Sequence, residues 1–380
     1  MEKAIYNIEP YISNLEEFDF DFFCKKKIEN PNFHQQKFEN DLQFFLKTDK
    51  QVCLTNSGTS AIHLALLSSG IQKGDVVICS SSSFVASVNP ILYVGAIPYF
   101  VDVDINSGNI KLSYLEQAIK DCISKKINVK AVIITHSYGL PVDLDPIIDL
   151  KSKYDFTLIE DAAEALGSVY KKSYCGTICD YGILSFNTNK INTTLGGGAL
   201  IVKDKLEKTK ILKLASQNKI INEDFKHDGL GYNYRMNDFA AYIGSLQIKK
   251  ITQELSLKKR IYDSYNRVFE DFDFCSLLPT KTRNIELPNR WMNCLVFNED
   301  SIKIKVEELL KKNNIEIRSL WFPLHKQGYL KDFLYIGNKE SEYLFNNGIC
   351  LPSGVKINEE LIKMIISLIK SVKTCNSDNQ

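Results

Sequence analysis

The sequence predicts an α/β fold: a mainly parallel sheet flanked by helices, followed by a smaller C-terminal α+β unit. Three observations carry this. Between about residue 51 and residue 205, short apolar runs of strand length alternate with helical patterns. Residues capable of chemistry recur just after those runs, where ligands bind in such sheets. Beyond residue 289 the alternation gives way to a few short strands and amphipathic helices.

The first strand is expected at Val52–Leu54, with a helix over Thr59–Ser69 entered through a polar turn. The most apolar region, Val76 to Val103, is broken by Ser80 to Ser83, Pro90 and Pro98. It therefore divides into a strand at Val76–Cys79, a helix near Val85–Val94 and a strand at Pro98–Val103, which excludes a membrane span. Helices at Ser113–Ser124 and Pro146–Tyr154 precede strands at Ala131–Thr135 and Thr157–Ile159. Tyr181–Phe186 and Ala199–Val202 close the series. One long helix is expected over Asp238–Phe272, then strands at Trp291–Phe297, Glu316–Trp321 and Ile349–Leu351, with a helix at Val306–Lys312. The last helix places Leu361, Met364, Ile365, Leu368 and Ile369 on one face, and a polar tail starts at Thr374. The expected division is a lead-in over 1–50, a large domain over 51–245, and a linking helix with a small domain over 246–380.

Forty-seven basic and 46 acidic residues nearly cancel, which argues against a nucleic-acid footprint or a polybasic membrane surface. Met1 to Pro10 carries acids and no apolar core, so it does not read as a signal peptide. Cys53, Cys79, Cys294 and Cys350 sit in apolar runs as small buried residues. Cys175 and Cys179 form the only close pair, with no second pair or nearby histidine to complete a metal set. No metal is expected, and a reducing cytoplasm is.

The chemistry converges on Lys190. An apolar run leads into Ser185-Phe186-Asn187-Thr188-Asn189-Lys190, and Gly196-Gly197-Gly198 follows, where the backbone must turn or lie close to something. Ile159-Glu160-Asp161 ends another apolar run with a carboxylate, and Glu164 follows one helical turn later. A lysine able to form a Schiff base and an acid at a strand end are what pyridoxal phosphate most needs. Asn56-Ser57-Gly58-Thr59-Ser60-Ala61 lies between a strand and a helix, a phosphate site by its free amides and helix dipole, or an ordinary cap if taken alone. Phe84 could lie on a cofactor ring or in the core, and Ser185 could hold the phosphate from the other side. His136 and His325 are candidate polar contacts. Gly231-Tyr232-Asn233-Tyr234-Arg235-Met236 could pack a subunit interface, with Asn233 donating to a phosphate.

Together these motifs resemble the DegT-type nucleotide-sugar aminotransferases, a branch of the fold-type I pyridoxal phosphate enzymes. The pieces are Asn56 to Ala61, Ser83-Phe84-Val85-Ala86, Ile159 to Glu164, Ser185 to Gly198 and Gly231 to Met236, and the likeness runs from about Gln51 onward. The resemblance implies that 51–245 is the cofactor domain and that pyridoxamine phosphate forms during turnover. It implies that Lys190 carries the cofactor and Asp161 faces the pyridinium nitrogen. Gly58, Thr59, Ser60 and Ser185 would hold the phosphate, Phe84 would stack on the ring, and Glu164 would share the pocket. Asn233 would reach the cofactor of a neighbouring subunit, so a homodimer with shared sites is expected. Lysine at 190 excludes the sugar dehydratases of this family, which have histidine there.

Gly196, Glu316-Ile317-Arg318-x-Leu320-Trp321 and Ile349 to Gly354 narrow the resemblance to enzymes making UDP-4-amino-4,6-dideoxy-N-acetylglucosamine. The implied reaction moves an amino group from glutamate to a 4-keto-6-deoxy nucleotide sugar for surface glycans, with Arg318 a candidate substrate contact. Amination at carbon 3, a dTDP or GDP nucleotide, a pyridoxal-dependent lyase or dehydratase, and a non-catalytic regulatory relative remain the alternatives. Met1 to Lys50 departs from the family's usual opening.

Overall fold

The computed structural model of the chain describes residues 15–220, 223–279 and 286–377. The acidic stretch 1–10 and residues 378–380 of the expected tail lie outside them. Two helices come first, α1 (Phe20–Glu29), capped by the Asp19 side chain on the Phe22 N–H, and α2 (Phe33–Leu46). The alternation then follows: β1 (Gln51–Thr55), α3 (Gly58–Ser68), β2 (Val76–Ser80), α4 (Asn89–Tyr93), β3 (Ile97–Val101), α5 (Leu112–Ser124), β4 (Val129–Thr135), α6 (Asp145–Tyr154) and β5 (Thr157–Asp161). A ribbon of β6 (Val169–Tyr170) and β7 (Ser173–Tyr174) precedes β8 (Tyr181–Ser185), β9 (Gly198–Val202) and α7 (Lys205–Ala215). Two helices, α8 (Asp238–Ile248) and α9 (Ile251–Phe269), lead to β10 (Cys275–Leu277), β11 (Glu286–Leu287) and β12 (Asn293–Phe297). The chain ends with α10 (Asp300–Lys312), β13 (Arg318–Ser319), β14 (Leu334–Ile336), α11 (Glu340–Asn347), β15 (Gly348–Leu351) and α12 (Glu359–Ser377).

The large sheet has the order β1-β9-β8-β5-β4-β2-β3-β14, and β9 alone among them runs antiparallel to its neighbours. Both faces are buried because successive residues of each central strand enter different cores. Val76 and Ile78 join one cluster while Val77 and Cys79 join the other. That is the pattern of a parallel sheet covered twice. A four-stranded antiparallel sheet, β10-β12-β15-β13, packs against α9, α10 and α12 around a core of its own.

The structure differs from the sequence expectations at four places. The helix expected over Asp238–Phe272 is two helices, because the pattern changes at Lys249-Lys250. Every residue of α8 from Ala240 onward is buried, whereas α9 buries one stripe including Ile261, Tyr265 and Phe269. The strand expected at Glu316–Trp321 shrinks to Arg318–Ser319. Leu334–Ile336, placed within the small domain by position, pairs in parallel with β3 and forms an edge of the large sheet. Of the face expected on α12, Ile365 and Ile369 are fully buried and Leu361 and Leu368 pack against the same core, but Met364 is 39% exposed while Ile362 and Ile366 are buried, and the helix continues past Thr374. The lead-in is also more than a preface, since Phe38, Leu42 and Leu46 of α2 lie fully inside the main core.

Candidate active site

At one edge of the large sheet, the ends of β1, β8, β5 and β4 meet the start of β9. The register puts Gly198 opposite both Thr55 and Ser185, Ile183 opposite Asp161, and Asp161 opposite Thr135. This edge opens into a cleft of about 280 Å³ whose lining includes Gly58, Thr59, Phe84, Asp161, Glu164, Ser185 and Lys190. The strand-end rule therefore brings together seven of the residues singled out from sequence.

The α3 end of the cleft is built on close backbone approach. Ser57 caps α3 by accepting the Ser60 N–H at 3.1 Å, leaving the Gly58 and Thr59 N–H groups without intrahelical partners. A Cβ on Gly198 would fall 2.5 Å from the Gly58 nitrogen and the Ser57 carbonyl carbon, so β9 reaches α3 only as glycine. A Cβ on Gly58 would press against the Ser185 Cβ at 3.3 Å. Gly196, by contrast, has nothing within 4 Å of where its Cβ would be, so its residue type is not demanded by packing. Ser60, expected among the phosphate contacts, is turned away: its hydroxyl donates to Asn56 Oδ1 at 2.6 Å and lies 2.8 Å from Ser57 Oγ.

The carboxylates form the other wall. Asp161 Oδ2 accepts from Ser87 Oγ at 2.7 Å, and Oδ1 accepts the Ala163 N–H at 3.1 Å. Ser87 is held in turn by Ser83 at 2.7 Å. Burial raises the Asp161 carboxyl above its ordinary value, against the pull of the Ser87 hydroxyl, the Ala163 N–H and the Lys190 cation. Glu164 Oε2 accepts the Tyr138 N–H at 2.6 Å, a donor aimed by the left-handed backbone of Tyr138 (φ 57°). Burial pushes Glu164 up to about 7, with Lys190 and the Tyr138 N–H opposing and Asp161 adding to the rise. Lys190 is lowered by burial, and Glu164 and Asp161 pull it back only in part. Such an amine can be neutral at a pH where a surface lysine is not.

Phe84 keeps 53% of its surface exposed in this otherwise enclosed setting, with its ring 5.5 Å from that of Trp321. Trp321 stacks on Tyr138 at 6.1 Å and 11°. Neither Trp321 nor Ser87 is among the contacts expected from sequence. Their signals were present: one of only two tryptophans, and a serine one helical turn after Ser83.

The other expected contacts do not reach the cleft. His136 is fully buried: Nε2 lies 2.9 Å from Glu160 Oε1, and Nδ1 accepts the Val142 N–H at 2.9 Å. Burial alone would raise Glu160, but His136 and the Gly176 and Cys179 N–H groups outweigh it and hold the carboxyl below its ordinary value. The pair is thus a strut under the strand ends, with no ring nitrogen left for a substrate. His325 stacks on Tyr335 at 3.8 Å and bonds Ser81 Oγ at 2.6 Å. Arg318 is exposed and pairs with Glu316 at 3.1 Å. Asn233 is also exposed, and only its backbone carbonyl serves the cleft's rim, accepting from Asn56 Nδ2 at 3.1 Å.

The model of the DegT/DnrJ/EryC1/StrS aminotransferase family matches residues 25–370. The chain belongs to this family. The match starts at residue 25, earlier than the Gln51 at which the resemblance was expected to begin, and takes in α2, whose Phe38, Leu42 and Leu46 enter the core. EpsN of Bacillus subtilis is 34% identical over 382 residues, 98% of each chain. The GDP-perosamine synthase of Escherichia coli O157:H7 is 33% identical over 345 residues, 90% of each chain. A UDP-4-amino-4,6-dideoxy-N-acetyl-beta-L-altrosamine transaminase of Campylobacter jejuni is 35% identical over 235 residues, 61% of each. Among solved structures, the aminotransferase TlmJ of Streptoalloteichus hindustanus shares the fold at a TM-score of 0.87 and 23% identity, covering 98% of this chain and 100% of its own.

The chain is therefore a pyridoxal phosphate-dependent sugar aminotransferase. The cleft fits that cofactor: it offers uncapped amides at a helix N-terminus, the Thr59 side chain on its lining, an exposed aromatic face and a buried carboxylate. Among the described residues the buried Asn189 Oδ1, on the lining of the cleft, has no hydrogen-bond partner, which suits a polar occupant. Among the described residues, no helix is long and apolar enough to cross a membrane.

Proposed function

We propose that this aminotransferase moves an amino group from glutamate to a 4-keto-6-deoxy nucleotide sugar, N-acetylated and UDP-linked, giving a 4-amino sugar for surface glycans. The observation that carries the chemistry is one lysine, lowered toward neutrality, facing two buried carboxyls beside the open end of α3. The nucleotide rests on a narrower support, the Campylobacter relative, against which the GDP-perosamine synthase weighs.

Bound pyridoxal phosphate supplies an electron sink and carries the amino group between donor and acceptor. Lys190 would hold the cofactor covalently, and its amine, when free and neutral, would be the base for the proton on the donor's α-carbon. Asp161, its oxygens already engaged by Ser87 and Ala163, would be the carboxylate facing the cofactor's ring nitrogen. The Gly58 and Thr59 amides, the Thr59 hydroxyl and Ser185 would hold the phosphate, and Phe84 would lie against the ring. Glu164 holds a proton near neutrality beside Lys190. Asn233, exposed at the rim, reaches the phosphate site of a second copy in a homodimer with shared active sites.

The test is incubation with glutamate and a panel of UDP-, GDP- and dTDP-linked 4-keto and 3-keto sugars, with products identified by mass and NMR. A UDP-linked 4-amino product supports the proposal; preference for another nucleotide or for carbon 3 overturns the substrate assignment. Lys190→Ala should abolish turnover, and surviving activity would overturn the mechanism.

A further inference from the structure

Behind Lys190 lies a second layer of order that comes from outside the large sheet. Trp291, on the segment entering β12, is only 1% exposed. Its ring centroid is 4.0 Å from Lys190 Nζ, and its Nε1 donates to the Asn189 carbonyl at 2.8 Å, one residue before the lysine. The indole is itself clamped. Its backbone N–H donates to Asn289 Oδ1 at 2.9 Å, and its carbonyl accepts from the buried Lys258 Nζ at 3.1 Å. Asn289 Nδ2 donates to the Glu164 and Leu166 carbonyls at 2.9 and 3.0 Å. A single stretch, 289–291, thus ties the turn carrying Glu164 to the turn carrying Lys190.

Among the described residues, Lys190 Nζ has no hydrogen-bond acceptor; its nearest favourable partner is the indole face. A cation over tryptophan is attracted by the ring quadrupole, most strongly where water is excluded. Tyr138, Cys294 and Cys350 share the buried cluster of Trp291, and burial holds the Tyr138 and Cys294 groups well above their ordinary values, so both stay neutral. Asp161 on β5 and Glu164 after it face the amine and favour its charge. Lys258 of α9 sits on the far side, engaged with the Trp291 and Ser353 carbonyls, and the Arg290 guanidinium stacks 3.4 Å over Tyr262. His136 is bonded to Glu160.

We propose that Trp291 is a positioning residue for Lys190: its face steadies the ammonium form against burial, and its N–H fixes the turn that aims the amine into the cleft. This rests on the reading that Lys190 carries the cofactor. Losing the indole face makes the amine easier to deprotonate and looser in direction.

The experiment uses the full chain stripped of cofactor. The rate of pyridoxal phosphate capture is followed by absorbance across a pH series, since capture needs the neutral amine. Four proteins are compared with wild type: Trp291→Phe, Trp291→Leu, a chain with tetrafluorotryptophan at position 291 alone, and Lys190→Ala. Fluorination drains the ring face at nearly constant size, so it stays informative if the leucine variant fails to fold. The capture midpoint should move down by about one pH unit for the fluorinated and leucine chains, and by less for phenylalanine. A purely structural role would slow capture without moving the midpoint, so an unmoved midpoint in the fluorinated chain overturns the proposal. Capture by Lys190→Ala with the same visible band would instead overturn the assignment of Lys190 itself.

Discussion

Glu164→Gln tests whether the cleft stores a proton at neutral pH. The folded protein holds this carboxyl at about 7 against an ordinary 4.5, because burial disfavours its charged form. Between those values the unfolded chain has released a proton that the folded chain keeps. Folding stability therefore falls as pH rises through this window and levels off above 7. At about 1.4 kcal/mol per unit, the difference is worth about 3 kcal/mol. Glutamine keeps an oxygen for the Tyr138 N–H but has no proton to lose. The variant's stability relative to wild type should thus rise by about 3 kcal/mol between about pH 4.5 and pH 8, as read from denaturant unfolding of the cofactor-free proteins. Subtracting the two curves cancels the other titrating groups, apart from the coupling to Lys190. A stability difference that stays flat across the range would refute the account of Glu164 as a buried, proton-holding acid.

Three further outcomes are expected. Asp161→Asn should keep the fold, since amide and carboxylate are the same size, yet lower kcat by at least about 100-fold in a glutamate half-reaction. Ser87→Ala removes the donor to Asp161 Oδ2 and should move the acidic limb of the kcat/KM profile to higher pH, as the carboxyl then ionises less readily. Gly198→Ala forces β9 off the start of α3 and should cost about 1–3 kcal/mol in unfolding experiments, together with weaker cofactor binding in a fluorescence titration.

Much of this molecule was legible from residue order. Alternating apolar runs demanded a sheet buried on both faces, because successive side chains of a strand point to opposite sides. Chemistry placed just after those runs had to converge, because the strands it follows are parallel. Hence Asp161, Glu164, Ser185 and Lys190 share one cleft with Gly58, Thr59 and Phe84. The glycine at 198 announced a close approach, and the approach is to α3.

What the tertiary structure alone decided is how each polar side chain spends its hydrogen bonds. His136 and Ser60 occupy suitable positions in sequence, yet their polar atoms are consumed by Glu160 and Val142 or by Asn56 and Ser57. Trp291 shows the converse, since it belongs to no strand of the large sheet and still lies under Lys190. β14, far along the chain, completes an edge of the same sheet. Local pattern reports period and strand ends because these are short-range properties of the backbone. It is silent on which distant group satisfies a buried donor or meets a cation, because that is settled only when separate layers pack.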